Sequence, residues 1–169
     1  MKLIPTASQT VGPFFSIGLA HLHQDSTKID SADAQTITGI VVDGDGQPIP
    51  DCVLEFWTAS SFARVPTCVD GKYSVNVEAE TTMCEVLLFM RGLLKPVYTR
   101  VYLSAAAKAR DAITSKLVPQ DRIGTLIAQP GIAAKRFVWN VKMQGGDETV
   151  FFDCRSSLLT NDAAGSLRF

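Results

Sequence analysis

Two histidines in the first part of the chain are the side chains whose spacing best suits metal chemistry. His21 and His23 are the only two histidines in the sequence. Residues two apart on an extended strand share a face, so both imidazoles could contact one metal ion. A metal site needs a third or fourth ligand, however, and no neighbouring cluster supplies one. The pattern therefore favours ordinary surface contacts over a metal site.

A single arginine at the end of an apolar run suits the binding of an anion. Arg91 follows five apolar residues and precedes Gly92, which places it at the end of a predicted central strand. A guanidinium held there can make a two-point contact with a carboxylate or stack on an aromatic ring. The alternative is a surface or interfacial salt bridge, and the pattern alone favours that alternative.

Two acidic residues lie within apolar strands, where an unpaired carboxylate would be costly. Glu55 alternates with Leu54 and Phe56, which predicts that Glu55 faces water. Glu85 begins a very apolar run, which predicts a nearby arginine as its partner. The motifs of α/β-hydrolases, P-loop proteins and dinucleotide-binding folds are absent.

Composition excludes several classes of function. The 16 basic and 17 acidic residues nearly balance, so no basic surface is expected to attract nucleic acid. No apolar run approaches the roughly 20 residues that span a bilayer. The first six residues are too short an apolar stretch for a signal peptide, which predicts a cytoplasmic protein. The four cysteines form no metal-binding or redox pair and are expected to be small buried apolar residues: Cys52, Cys68, Cys84 and Cys154.

The elements that would position these side chains are mostly short strands. The sequence predicts an arm over residues 1–34, a β-sandwich over 35–155 and a tail over 156–169. An antiparallel hairpin is predicted from Thr36–Val42 and Cys52–Trp57, because turn residues separate the two runs. One helix is expected from Ser104 to about Lys116, and a short helical turn near 120–127. Further strands are predicted at Lys72–Val77, Glu85–Met90, Tyr98–Leu103, Arg136–Met143 and Thr149–Asp153.

Several stretches in a fixed order resemble the alpha subunits of the protocatechuate 3,4-dioxygenase family. Ser8–Leu19 contains the family's Ser-Gln-Thr-x-Gly-Pro segment, and Gly39–Trp57 is similar to its first hairpin. Leu88–Gly92 and then Tyr98–Leu103 resemble the family's Phe-x-Arg-Gly and Thr-Arg-x-Tyr strands. The closing stretch Met143–Asp153 contains Glu-Thr-Val-Phe-Phe-Asp, which favours the alpha over the beta chains.

This resemblance implies a mainly β fold, an antiparallel β-sandwich of the intradiol dioxygenase type with one short helical segment. Members of the family bind Fe(III) through two tyrosines and two histidines, and in alpha/beta enzymes these ligands lie in the beta chain. Where the family has its histidine pair, this chain reads Met83-Cys84-Glu85, and only Tyr73 lies in the region of the tyrosine ligands. The resemblance thus implies no iron in this chain and an iron-binding beta-type partner.

The resemblance also implies which residues would contact the substrate across the subunit interface. These are Gly12, Pro13, Phe14 and Arg91, with Phe14 standing where the family commonly has a tyrosine. The expected substrate is protocatechuate (3,4-dihydroxybenzoate) or a related catechol, and the chain alone is expected to be inactive and to self-associate. The alternative is a non-catalytic β-sandwich module for assembly or binding, with the same fold.

Overall fold

The computed structural model describes residues 6–10, 12–22, 34–109 and 111–153. These residues form two β-sheets and several short helices. The strands are β1 (Gln35–Val42), β2 (Val53–Trp57), β3 (Phe62–Pro66), β4 (Lys72–Val77), β5 (Met83–Phe89), β6 (Val97–Tyr102), β7 (Gln129–Pro130), β8 (Arg136–Val138) and β9 (Val141–Lys142). The α-helices are α1 (Phe14–Gly18), α2 (Ala105–Ala109) and α3 (Ala112–Leu117), and 3₁₀ helices cover Ala20–Leu22 and Ile123–Leu126.

The two sheets differ in the direction of their strands. The four-stranded sheet has the order β3-β2-β5-β6 and is antiparallel throughout. The five-stranded sheet has the order β4-β1-β8-β7, with β9 also on β1. In that sheet β8 and β9 run parallel to β1, so this layer of the predicted β-sandwich is mixed rather than antiparallel. Parallel pairing requires a crossover, and the chain here returns to β1 only after passing through the other sheet.

The main core lies between the two sheets. Leu54, Phe56 and Val86 from the four-stranded sheet pack in one cluster with Ile37 and Val75 from the five-stranded sheet. Aromatic contacts join the layers, because the Phe56 ring lies 5.8 Å from the Tyr73 ring and 6.5 Å from the Trp139 ring. Two sheets that bury alternating apolar residues against each other define a β-sandwich.

A second, smaller cluster lies on the other face of the four-stranded sheet. Tyr102 of β6 packs there against Val118, Ile123 and Leu126. The chain from α2 to the second 3₁₀ helix therefore covers one end of this outer face. Among the described residues, no helix is long and apolar enough to cross a membrane. The cytoplasmic location and the division into arm, sandwich and tail remain predictions.

The hairpin predicted from β1 and β2 is wrong, because the two strands belong to different sheets. The chain does reverse after β1, where the backbone amides of Asp45 and Gln47 donate to the Asp43 carboxylate. The returning segment pairs with β1 only through the Val42–Pro48 bridge and the Ile49 amide. Proline has no amide hydrogen, so Pro48 and Pro50 prevent a continuous ladder and the chain crosses to the other sheet.

The predicted strands in the middle of the chain are confirmed, and β5 is central in its sheet as expected. The last two strand predictions are partly wrong. The run 136–143 is split into β8 and β9 at Trp139 and Asn140, whose backbone and side chain bond to β1. The run 149–153 contributes only the isolated bridge between Phe152 and Tyr98. Sequence reasoning also missed β3 and β7.

The helical predictions hold in position but not in length. The Ser104 hydroxyl accepts a hydrogen bond from the Ala107 amide and so caps α2, but the predicted single helix is divided into α2 and α3. The 3₁₀ helix Ile123–Leu126 confirms the expected turn near 120–127. The predicted arm, expected to be extended with local turns, contains α1 and a 3₁₀ helix over residues 14–22.

Two predictions about burial are corrected. Glu55 is buried rather than facing water, because β2 lies inside its sheet and the Glu55 carboxylate pairs with Arg64 of β3. Cys52 and Cys84 are buried as expected, but Cys68 is exposed in the turn before β4. Cys154 lies outside the described residues.

Candidate functional site

The N-terminal segment with the predicted substrate contacts is anchored by one aromatic side chain. Gly12 adopts a φ of 58°, a left-handed conformation that glycine allows and that turns the chain into α1. Pro13 precedes α1 and its carbonyl accepts the Ser16 hydroxyl and amide. Phe15 is buried with its ring 6.5 Å from that of Phe89 at the end of β5, whereas Phe14 is 71% exposed.

A cavity of about 290 Å³ separates this arm from the chain that follows β5. Phe15 and Leu19 lie on the arm side, and Phe89 and Met90 lie on the strand side. The wall is mostly apolar, so the cavity suits an aromatic or aliphatic group rather than a charged one. None of the four predicted substrate contacts lines it. The remaining lining residues are Gln9, Leu93, Leu94, Lys95 and Pro96.

Arg91 lies in the turn directly after β5. Gly92, with a φ of 89°, allows the chain to reverse there, and the Leu93 amide donates to the Met90 carbonyl. The Arg91 side chain is 57% exposed, and its Nε lies 2.7 Å from Oδ2 of Asp51, whose side chain is only 12% exposed. The structure thus shows the ion pair that was the alternative for Arg91, while more than half of the side chain remains exposed to solvent.

The Asp51 carboxylate is unusual because both of its oxygens are out of contact with solvent. Among the described residues, neither oxygen accepts a hydrogen bond in good geometry, although Arg91 is close enough for an ion pair. Nε of Arg91 is thus close enough to Asp51 for a hydrogen bond, but its N–H group does not point at either oxygen. We regard the contact as electrostatic, since two opposite charges at 2.7 Å attract strongly whether or not the N–H points along the line between them.

A second arginine lies on the neighbouring strand in a very different environment. Arg100 of β6 donates from Nε to the Tyr98 hydroxyl at 2.9 Å and from Nη1 to Asp111 at 2.9 Å. Its Nη2 reaches Glu85 of β5 at 3.4 Å, which confirms the predicted arginine partner of Glu85. The Tyr102 hydroxyl also donates to Asp111. We call these five side chains the Arg100 cluster.

The charges within the Arg100 cluster are fixed by these contacts. Burial favours the neutral form of Asp111, but hydrogen bonds from Tyr102 and Thr114 and the charge of Arg100 outweigh burial and hold the pKa of Asp111 below its usual value. Burial raises the pKa of Tyr98 and of Tyr102. At neutral pH the cluster therefore contains ionised Asp111 and Arg100 and two protonated phenols.

The tyrosines do not fit the ferric site that the resemblance implies for the family. The chain has three tyrosines, and a phenolate ligand requires a hydroxyl that can lose its proton. Tyr73 donates to the Trp139 carbonyl at 2.7 Å, and burial raises its pKa well above the usual value. Tyr98 and Tyr102 belong to the Arg100 cluster. All three hydroxyls are held in internal contacts as neutral groups.

The two histidines are not brought into a metal site by the described structure. His21 is exposed in the first 3₁₀ helix, and His23 lies outside the described residues. Over residues 6–10, 12–22, 34–109 and 111–153, no three histidine, cysteine, aspartate or glutamate side chains are grouped so that they could hold a metal ion.

The structure brings the two predicted substrate-binding segments to the same part of the molecule. Gly12, Pro13 and Phe14 adjoin Phe15, which contacts Phe89, two residues before Arg91. Sequence reasoning missed Asp51 and Asp111, which determine the surroundings of the two arginines. Asp51 follows Pro50 in a turn, and Asp111 lies between two short helices, so neither has a periodic pattern that could have revealed its partner.

Comparison with solved structures defines the class of fold. The chain superposes on the dioxygenase domain of a dioxygenase and carbohydrate-binding fusion protein from Streptomyces sp. SirexAA-E with a TM-score of 0.50 and 13% identity, covering 72% of this chain and 86% of that one. It also superposes on Acinetobacter radioresistens catechol 1,2-dioxygenase with a TM-score of 0.50 and 15% identity, covering 71% of this chain and 54% of that one. The fold is that of the intradiol dioxygenases.

Sequence relatives narrow the class to one family. The chain is 35% identical to the protocatechuate 3,4-dioxygenase alpha chain of Burkholderia cepacia, over 88% of this chain and 96% of that one. It is 30% identical to the protocatechuate 3,4-dioxygenase alpha chain of Pseudomonas putida, over 90% and 98%. This chain therefore belongs to the family of protocatechuate 3,4-dioxygenase alpha chains. No family model matches it.

Proposed function

We propose that this chain is the non-iron-binding alpha-type subunit of an intradiol dioxygenase that cleaves protocatechuate or a related catechol. Cleavage breaks the bond between the two hydroxyl-bearing carbons and the O–O bond of dioxygen, and each of these carbons gains one oxygen atom and becomes a carboxylate as the ring opens. An iron-bearing beta-type partner carries out this step. The alpha-type chain supplies part of the wall that binds the substrate.

The observation that carries the proposal is the state of the tyrosines. The Tyr73 hydroxyl is bonded to the Trp139 carbonyl in the core, and those of Tyr98 and Tyr102 are bonded within the Arg100 cluster. Releasing any of them would leave a buried polar group without its partner, which is costly. A chain built in this way does not provide phenolates, although its relatives are named as chains of a dioxygenase.

Arg91 and the segment Gly12–Phe14 are the proposed substrate contacts of this chain. The side chain of Arg91 is 57% exposed, and its guanidinium has the planar shape that matches a carboxylate such as that of 3,4-dihydroxybenzoate. Phe14 presents an exposed ring next to Gly12 and Pro13, which suits contact with the face of an aromatic substrate. Phe14 has no hydroxyl, so this contact provides packing and no hydrogen bond.

An exposed apolar surface near these residues supports a partner chain. Phe14 is 71% exposed, Ile17 is 70% exposed, and Leu94 is exposed as well. They lie on the arm and on the turn that border the apolar cavity. Apolar side chains grouped at the surface commonly mark an interface. The iron-bearing partner is the proposed occupant, and self-association is expected when the partner is absent.

The test is to purify the chain alone and together with an iron-binding beta-type chain. We expect the lone chain to contain no iron, to lack the visible absorption of tyrosinate bound to Fe(III), and to leave 3,4-dihydroxybenzoate unchanged. We expect the co-purified complex to contain iron and to consume one dioxygen for each ring cleaved. A lone chain that binds iron and cleaves the substrate, or an iron-loaded complex without activity, would contradict the proposal.

The alternative function is a non-catalytic module for assembly or binding. It is favoured by one observation, namely that Asp51 neutralises the charge of Arg91 and so weakens its long-range attraction for an anion. The substitution Arg91→Ala in the complex separates the two functions. A subunit that helps bind the substrate predicts a higher KM for a carboxylated catechol, whereas a module used only for assembly predicts an unchanged KM.

A further inference from the structure

The partner of Arg91 is held by a rigid part of the core. The buried Thr67 hydroxyl donates to the Ile49 carbonyl at 2.8 Å and accepts the Cys52 amide at 3.0 Å. The Thr67 amide in turn donates to the Cys52 carbonyl at 2.8 Å. These bonds fix the backbone on both sides of Asp51, so the carboxylate has a defined position at the start of β2.

Arg91 has no comparable support of its own. It lies in an exposed turn, and its long side chain has many conformations when nothing holds it. Both oxygens of Asp51 are excluded from solvent, and among the described side chains only Arg91 forms an ion pair with them. Moving Arg91 away would separate this carboxylate from its counter-ion until water reached it, which favours the paired position of Arg91. Arg91 therefore stays beside Asp51 when a ligand binds.

The geometry of the contact leaves one edge of the guanidinium available. The atom of Arg91 nearest to Asp51 is Nε, which lies 2.7 Å from Oδ2. Nη1 and Nη2 form another edge of the guanidinium, which makes the end-on, two-point contact with a carboxylate. A guanidinium held at Nε can thus bind a second carboxylate at that edge without losing the first.

We propose that Asp51 is a positioning residue, which holds Arg91 so that the Nη1 and Nη2 edge receives the carboxylate of the substrate. This inference rests on the proposed role of Arg91 in substrate binding. Asp51 does not touch the substrate. It makes recognition of the carboxylate depend on the direction of the guanidinium, since the ion pair as a whole has no net charge to attract anions from a distance.

The test uses the complex of this chain with its iron-bearing partner and two substrates, 3,4-dihydroxybenzoate and catechol. The readout is the ratio of their kcat/KM values, which isolates the contribution of the carboxylate. We expect Asp51→Ala to lower this ratio about tenfold, mainly through KM for 3,4-dihydroxybenzoate. Asp51→Asn keeps the shape of the side chain but removes its charge, and because the contact is electrostatic it should also lower the ratio, by about as much.

Asp70→Ala is the matched control. Asp70 also forms an ion pair with a basic side chain, at 3.8 Å from Lys72, but both of those side chains are exposed. We expect this variant to leave the ratio unchanged. If Asp51→Ala leaves the ratio unchanged or raises it while Arg91→Ala lowers it, Asp51 does not position Arg91. If Arg91→Ala also leaves the ratio unchanged, the proposed role of Arg91 fails as well.

A second measurement does not depend on activity or on the partner. In the full chain, the Nε–Hε signal of Arg91 in a nitrogen–proton NMR spectrum, assigned by its loss in Arg91→Lys, reports how firmly the side chain is held. We expect a signal that is restrained on the fast timescale in the wild type and freely mobile in Asp51→Ala. Equal mobility in both proteins would overturn the inference.

Discussion

Two arginines, one in the turn after β5 and one on the neighbouring strand β6, show how the surroundings of a side chain decide its role. Arg91 follows β5, is 57% exposed and pairs with Asp51 alone among the described side chains. Arg100 lies in β6 with only 11% of its side chain exposed, and it contacts two carboxylates and a phenol. Arg91 has N–H donors that its ion pair does not use, whereas the N–H donors of Arg100 bond to other side chains of the protein.

This difference in exposure and partners separates a role in ligand binding from a role in the stability of the fold. A buried guanidinium that satisfies several partners cannot be removed without leaving those partners unpaired. An exposed guanidinium with one partner contributes little to stability because water screens its charge, but its open edge can contact a ligand. We therefore assign Arg100 to the fold and Arg91 to the proposed substrate contact, although both end up as arginines beside an acidic residue.

The largest expected effect is the loss of the Arg100 guanidinium. Arg100→Ala leaves Glu85 and Asp111 without their shared counter-ion and should lower the free energy of unfolding by about 3–5 kcal/mol. Urea unfolding followed by circular dichroism measures this change. Arg136→Ala, at an exposed position on β8, is the control and should change stability by less than about 0.5 kcal/mol. Similar losses of unfolding free energy for both variants would contradict the assignment of Arg100 to the stability of the fold.

A smaller effect is expected from a single hydroxyl of the Arg100 cluster. Tyr102→Phe removes the hydroxyl that donates to Asp111 and contacts Thr114 at 2.8 Å. The ring remains to pack against Val118 and Leu126. We expect a loss of about 1–2 kcal/mol in unfolding free energy. A variant as stable as the wild type would show that the hydroxyl does not hold Asp111 in solution.

The pH dependence of stability tests the charge of Asp111. The pKa of Asp111 is lowered in the folded state, so its contribution is fully present above the unfolded value of about 3.9 and is lost as pH falls through the lower folded value. The stability difference between wild type and Asp111→Asn should therefore be largest at neutral pH and shrink below about pH 4. A difference that does not change between those pH values would contradict the lowered pKa.

The smallest expected effect on stability is that of Arg91. Water can reach Asp51 once this exposed side chain is removed, so Arg91→Ala should cost only about 1 kcal/mol. The same unfolding measurement gives the value. A loss as large as that of Arg100→Ala would mean that the Arg91 pair is part of the core.

Much of the fold could be predicted because its central strands have simple patterns. The apolar run before Arg91 predicted β5 and its central place, and alternation predicted β4 and β6. The predicted hairpin of β1 and β2 failed because local turn residues indicate a reversal but do not say which sheet receives the returning chain. The split between β8 and β9 also depends on long-range contacts of Trp139 and Asn140 with β1.

The candidate site was only partly predictable, because several of its contacts join residues that are far apart in the sequence. Glu85 could be matched with an arginine because an acidic residue in an apolar strand requires a partner. Nothing in the local sequence connects Arg91 with Asp51, which is 40 positions earlier in the chain. Glu55 was assigned to a wet face by alternation, yet β2 is covered on both faces and Arg64 provides the missing charge.

The most direct test of the account uses the complex of this chain with an iron-bearing partner, prepared with wild-type chain and with Arg91→Ala. We predict that the iron content is the same in both complexes and that kcat/KM for 3,4-dihydroxybenzoate falls at least about tenfold in the variant, while the value for catechol changes little. Iron that is lost with Arg91, or kinetics that do not change for either substrate, would contradict the claim that this chain contributes substrate binding and not the metal.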